Sequence, residues 1–487
     1  MTDASATRDL AINIPEARLE PNAINVTQDT VIGMATSAPA GTVAATLATL
    51  AAATAYGSGP ILLLTAIPML IIANAYRRLN QWNASCGATF EWVGRTINPY
   101  LGFLTGWVMV IGYIITTVAE VVVLGPSVLT VFGADPSNTW ANIWVDTGLC
   151  MVMLIIATIG IRLTARTQIV MAAVEYSILV GLSIAGLIFV LTHHPGTYAI
   201  TKGWFSLNGI DGKGSVVSAL LISVYIYSGY DGTIYVNEEV KHWRINPGRA
   251  AIWATLLLTV IYTLAQVGLQ GTVSPARLQA NAASALIYAA QAVGGAGWGK
   301  AMALAIALSV TAATGTGIVL AARIMYGMAA WQVLPVTLSR IWRRFSTPGP
   351  ASILAGVLII AITWAYMLTA SATSVFSNVV AVAGLLFTIF YIMTVLALVA
   401  CYRRRIFTTP WDLVSIGLLP VAALVFLGWV LVRSLQAAPR GQVWSVVAIV
   451  AAGLVMMAVA RFGLRSAYFQ VRRESDTASP ARHAFRR

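Results

Sequence analysis

Charge is scarce in this chain. Of 487 residues only 10% are Asp, Glu, Lys or Arg, where soluble domains carry about a quarter, so much of the chain belongs in lipid. Cysteine is down to three, Cys86, Cys150 and Cys401, without CxxC spacing. That excludes a disulfide frame or a zinc cluster and leaves three free thiols. Only four histidines occur, and no His/Cys/Asp cluster, nucleophile elbow or cofactor loop is present, so neither an enzyme nor a cofactor is expected. The adjacent His193 and His194 point different ways and make a poor metal pair. Thr314–Gly317 lacks the strand and lysine of a phosphate loop. The residues up to about Asn25 lack the basic-then-apolar order of a cleaved signal peptide.

Apolar residues are abundant instead, at 58%, and mean hydropathy is +0.79. Stretches of roughly 20 apolar residues, enough to cross a bilayer, begin near Val31, Pro60, Leu101, Ile143, Ile169, Val216, Ala250, Gly299, Ala351, Val375, Leu413 and Val443. The pattern predicts an all-α membrane protein of about twelve transmembrane helices, with both termini on one side. A net charge of +13 would suggest nucleic acid in a soluble protein, but here the basic residues sit in short loops. With the N-terminus inside, the inner segments hold 24 Lys and Arg and the outer ones 6, together the 30 of the chain. The positive-inside rule then predicts a multi-pass protein of the cytoplasmic (inner) membrane with both termini cytoplasmic, its partners the lipid bilayer and a small molecule, with no nucleic acid. Residues 1–25 read as a cytoplasmic tail, 26–465 as the membrane domain and 466–487 as a basic tail.

Two spans carry breaks. Val31–Ala52 is interrupted by Ser37-Ala38-Pro39-Ala40-Gly41, and Val216–Glu239 by Ser228-Gly229-Tyr230-Asp231-Gly232. Lipid cannot satisfy freed backbone groups, so such breaks survive only where they line a buried site. Paired interruptions in two halves point to the binding site of a secondary transporter. Breaks in the first and sixth spans imply an inverted repeat of five helices plus five, with the last two spans appended. Carbonyls near Met34–Thr36 and N–H groups near Ala40–Thr42 would offer the two helix-end charges that a zwitterionic amino acid needs. The alternative is a simple proline kink.

Ionisable groups at membrane depth are expensive and usually serve a function. Asp231, between two glycines, reads as a proton carrier, a gate or a partner for the lower half-helix, or else as a cap of the restarted half-helix. Tyr113, Thr116, Thr117 and Glu120 form one polar stripe on the third span, where Glu120 either faces a cationic substrate or plays a structural part. Glu175 reads as a shallow proton site or inner-gate partner, and equally as an interfacial paired carboxylate. Glu238 and Glu239 are expected to pair with inner-loop arginines and control a cytoplasmic gate. Ser309, Thr311, Thr314 and Thr316 offer hydroxyls for sodium, or simply bond back to their own helix.

Several motifs resemble the amino acid–polyamine–organocation superfamily. They are Gly87–Trp92 with Asn98–Trp107, Tyr227–Asp231 with Glu238–Lys241 and Asn246–Ala250, and Arg323–Met328 with Leu334-Pro335 and Thr347-Pro348. The resemblance implies a leucine-transporter-type fold working by alternating access, with proton symport or exchange of amino acids or amines. It places Asp231 and Glu120 beside the substrate and offers Tyr225 or Tyr227 as an aromatic gate. Two departures stand out: Pro39 replaces part of the glycine-rich first break, and Glu175 stands where proton-coupled members carry a lysine.

The expectation is a proton-coupled amino acid permease, with sodium a lesser alternative to the coupling proton. The substrate-binding set is Thr36, Ser37, Ala38, Gly41, Thr117, Glu120, Tyr225, Tyr227, Ser228, Gly229 and Asp231. The coupling and gating set is Asp231, Glu175, Glu238 and Glu239. The rivals are a polyamine or organic-amine permease, an amino acid exchanger, and a non-transporting membrane receptor or scaffold.

Overall fold

The computed structural model describes residues 18–54, 56–192, 197–207, 213–369 and 372–471; His193, His194 and most of both tails lie outside them. The first span is two helices, α1 (Val26–Thr36) and α2 (Pro39–Thr54). α1 opens with a capping box, in which the Gln28 N–H donates to the Asn25 side chain and the Asn25 N–H to the Gln28 side chain, both at 2.9 Å. Pro39 forces the interruption and also opens α2, because its fixed φ suits a first helical position where the missing N–H has no partner to lose.

Four more spans follow: α3 (Ser58–Trp82), then, after the short α4 (Thr89–Thr96), α5 (Pro99–Phe132), α6 (Thr139–Ile159) and α7 (Ile161–Leu191). The sixth span is again two pieces, α8 (Lys213–Tyr227) and the single turn α9 (Gly232–Tyr235). Next come α10 (Asn246–Leu269), the connectors α11 (Pro275–Ala280) and α12 (Ala285–Gly294), then α13 (Ala296–Ala330), α14 (Gly349–Thr369) and α15 (Ala372–Tyr402). The spans Pro410–Ala437 and Arg440–Gly463 complete the chain. Among the described residues eleven helical stretches are long and apolar enough to cross a membrane, and the broken sixth span makes the twelfth. Extended pairing among those residues is confined to two isolated bridges, Ile24 with Val240 and Trp342 with Thr347.

Burial sorts the spans. The most apolar window is 83% buried in the first, third and eighth spans, but 33% and 17% in the last two. α5 and α13 therefore form the middle of the bundle, and the final pair sits at its edge facing lipid. Both breaks lie against this centre.

Candidate functional site

The two breaks touch each other. Gly229 has φ +108°, and a Cβ there would stand 2.9 Å from the Thr36 carbonyl oxygen and from Ser37 Oγ. Only glycine permits both the left-handed backbone and the close approach. Between the breaks lies a cavity of about 10 Å³, lined by Thr36, Ser37, Thr42, Tyr113, Thr116, Glu120, Tyr225, Ser228, Gly229 and Phe387. That is room for one water, so these walls must part before a metabolite can enter.

Glu120 and Thr116 bring polarity to this cavity from α5. Glu120 is 6% exposed and makes no hydrogen bond or ion pair among the described residues. Thr116 Oγ likewise has no partner. Most other hydroxyls are committed: Thr36 donates to Ile32 O at 2.8 Å, Thr42 to Ser37 O at 2.7 Å and Ser228 to Tyr225 O at 2.7 Å. The lining therefore has a carboxylate to offer and few free donors.

The helix ends differ from expectation. The N–H groups near Ala40–Thr42 are not free: Ala40 N–H donates to Glu175 Oε1 at 3.0 Å, Gly41 N–H to Ser309 Oγ at 3.3 Å and Thr42 N–H to Ala38 O at 2.7 Å. At the end of α1, Met34 O and Ala35 O accept from Ser37 and Ala38 N–H, each at 3.1 Å. A buried helix terminus must find partners, and here side chains of the fifth and eighth spans supply them. Glu175 is neither shallow nor interfacial. It lies fourteen residues after Ile161, about 21 Å along α7, fully buried, and its Oε2 has no partner. Thr311, Thr314 and Thr316 bond back to Ala307 O, Val310 O and Ala313 O of their own helix; Ser309 alone of the four turns to the break.

Asp231 does not line the cavity and makes no capping bond to α9. Three tyrosine hydroxyls converge on it: Tyr113 from α5 at 2.8 Å, Tyr235 from α9 at 3.0 Å and Tyr391 from α15 at 2.9 Å. Tyr225 faces the cavity, whereas Tyr227 turns away and donates to Leu62 O at 3.1 Å. Thr117 packs against Gly317 and bonds to Tyr113 O at 2.7 Å, also off the cavity. Ala38, at φ +43°, and Gly41 shape the break, and Gly41 abuts Val310 on α13. Phe387, Tyr235 and Tyr391 escape sequence reasoning, because aromatics in apolar spans look like ordinary core or lipid contacts.

Two further clusters lie beyond the ends of the broken spans. On one side Arg323 meets Glu239 through two bonds of 3.1 Å, with both side chains 0% exposed. Glu239 thus pairs with a residue of the eighth span. Glu238 Oε1 instead accepts from Cys86 N–H at 3.0 Å. The N-terminal strap is sewn to the same place, Ile24 N–H to Glu239 O at 3.1 Å and Lys241 N–H to Ile24 O at 2.8 Å. On the other side Tyr56, Tyr198 and Trp204 stack against one another, with centroids 4.3, 5.7 and 6.3 Å apart.

Residues 27–463 match the family model described as amino acid permease. The chain belongs to that family. This permease is 23% identical over 348 residues to the methylthioribose transporter of Bacillus subtilis (strain 168), covering 67% of this chain and 70% of the relative. Its fold is similar to the crystal structure of MhsT in complex with L-phenylalanine, with a TM-score of 0.57 and 15% identity over 85% of this chain and 99% of that one. The permease is thus a multi-pass membrane transporter of the amino acid–polyamine–organocation superfamily, not an enzyme, with a leucine-transporter-type fold whose first and sixth spans are broken.

Proposed function

We propose that the permease carries a small amine-bearing metabolite, an amino acid, across the cytoplasmic membrane by proton-coupled alternating access. The observation that carries this reading is Glu120: a carboxylate without a partner, facing a cavity between two helix breaks. Such a group is costly at membrane depth, and an ammonium of the substrate would offset that cost.

Coupling is assigned to Glu175. As a carboxylate it caps the positive N-terminal end of α2 through Ala40, a favourable pairing of charge with helix dipole. Protonation removes the charge and weakens the cap. Gain of a proton then releases α2, and loss of it reseats the half-helix. The Asp231 triad pins the sixth-span break to α5 and α15, and Arg323–Glu239 closes the side proposed to be cytoplasmic.

A second reading, an organic amine without a carboxylate, is favoured by one finding: the N–H groups expected to hold an α-carboxylate are filled by Glu175 and Ser309. Uptake into proteoliposomes, with and without an inward proton gradient, tests both. Amino acids accumulating with the gradient support the first. Uptake of putrescine-like amines, uncompeted by amino acids, installs the second. Transport of neutral methylthioribose with no amine uptake sinks both, as does the absence of any counterflow.

A further inference from the structure

Far from the substrate cavity, the corner where α6 meets α7 opens into a second cavity of about 400 Å³. Its size falls within the ~300–1,000 Å³ range of small-molecule sites. Three arginines line it: Arg162 and Arg166 from the first turns of α7, and Arg344 from the segment joining α13 to α14. No carboxylate pairs with Arg166 or Arg344 among the described residues; Arg344 lies over the Phe345 ring, 5.4 Å from its centroid.

The corner is built, not draped. Trp342–Thr347 forms a tight hairpin, with Trp342 N–H to Thr347 O at 2.9 Å and Ser346 N–H to Trp342 O at 2.8 Å. Thr347 Oγ then fastens it to Thr158 O at the end of α6, at 2.7 Å. Gly160, at φ +147°, makes the turn between the two helices. This fixes Arg344 opposite the start of α7, whose leading N–H groups have no side-chain cap.

The remaining wall is apolar and exposed. Ile159 and Leu163 line the cavity at 41% and 39% exposure, and Ile155 and Val170 continue the same exposed surface along α6 and α7. Trp342 stands beside it at 39% exposure, as aromatics do at the headgroup level. A free anion has no use for such a wall, whereas a phospholipid uses both halves, phosphate on arginines and acyl chains on isoleucine and leucine. One anion is already present: Glu20 of the N-terminal strap bonds Arg162 at 2.7 Å.

We propose that this corner is a binding site for the phosphate headgroup of an anionic phospholipid, held by Arg162, Arg166 and Arg344 in competition with Glu20. Clusters of basic residues at the end of membrane helices recognise such headgroups. The site is independent of what the permease transports.

The test uses the purified full-length protein in detergent, titrated with fluorescent phosphatidylglycerol. An arginine beside an anionic lipid contributes a factor of about five, so Arg166→Gln with Arg344→Gln should weaken binding about twenty-five-fold. Glu20→Gln should tighten it about fivefold by removing the competitor. Phosphatidylcholine should bind wild type and double variant alike, and melting in that lipid checks that the variants fold. Unchanged phosphatidylglycerol affinity in the folded double variant overturns the proposal. So does displacement of the lipid by inorganic phosphate, which would make this a free-anion site, and an unaltered affinity in Glu20→Gln removes the competition.

Discussion

Glu120 and Gly229 show how much two single positions decide. Glu120 makes no bond among the described residues that its amide would lose, and the amide removes a buried charge, so Glu120→Gln should leave the melting temperature unchanged or higher while reducing uptake of a cationic substrate at least tenfold (~1.4 kcal/mol of lost ammonium pairing). Equal uptake in the variant would leave Glu120 a bystander. Gly229→Ala is the opposite case. Its methyl would enter the Thr36 carbonyl and Ser37 Oγ at 2.9 Å with φ +108°, which costs of order 1–3 kcal/mol. A clearly lower melting temperature is expected, and a wild-type melting curve would mean that the two breaks do not touch as described.

At the scale of elements the half-helices are the moving parts. The first N–H groups of α2, those of Ala40 and Gly41, are held by a fifth-span carboxylate and an eighth-span hydroxyl. Glu175→Gln keeps an oxygen to accept from Ala40 N–H but removes both charge and titration. Uptake by this variant should no longer rise with an inward proton gradient, while exchange against internal substrate persists. A wild-type response to the gradient would take Glu175 out of coupling. α9, a single turn, has its preceding Asp231 gripped by its own Tyr235 and, from outside, by Tyr113 and Tyr391. Two of those donors come from α5 and α15, so the sixth-span break is fixed in part by the bundle around it.

For the molecule as a whole, closure on the strap side rests on one buried ion pair reinforced by backbone pairing of Ile24 with the segment after α9. Removing one partner of a buried pair costs about 3–5 kcal/mol. Glu239→Gln should therefore shift the population toward opening on that side. Cys86 is fully buried there, its N–H on Glu238. In a Cys150→Ala, Cys401→Ala background, maleimide should label Cys86 several-fold faster in the Glu239→Gln variant, and only from the cytoplasmic face. Labelling from the external face alone would reverse the proposed orientation, and an unchanged rate would deny the pair its gating part.

The sequence determined the spans and both interruptions. Runs of about twenty apolar residues mark the spans, and Pro39 with Gly41 and the Gly229–Gly232 run mark where two of them are interrupted, although Pro68 and Pro126 sit inside continuous helices. It also marked Glu120, because a carboxylate on an apolar helix with hydroxyls one turn away has one face to occupy. Partners were decided elsewhere. Nothing local says that Glu175 would reach Ala40, that Tyr391 would close on Asp231, or that Tyr225 and not Tyr227 would face the cavity. Those contacts join residues 118 to 160 positions apart in the cases of Tyr113 and Tyr391, and they depend on how helices rotate about their axes once packed. Buried polar atoms must be satisfied by whatever the bundle brings within reach, so tertiary packing selected their partners.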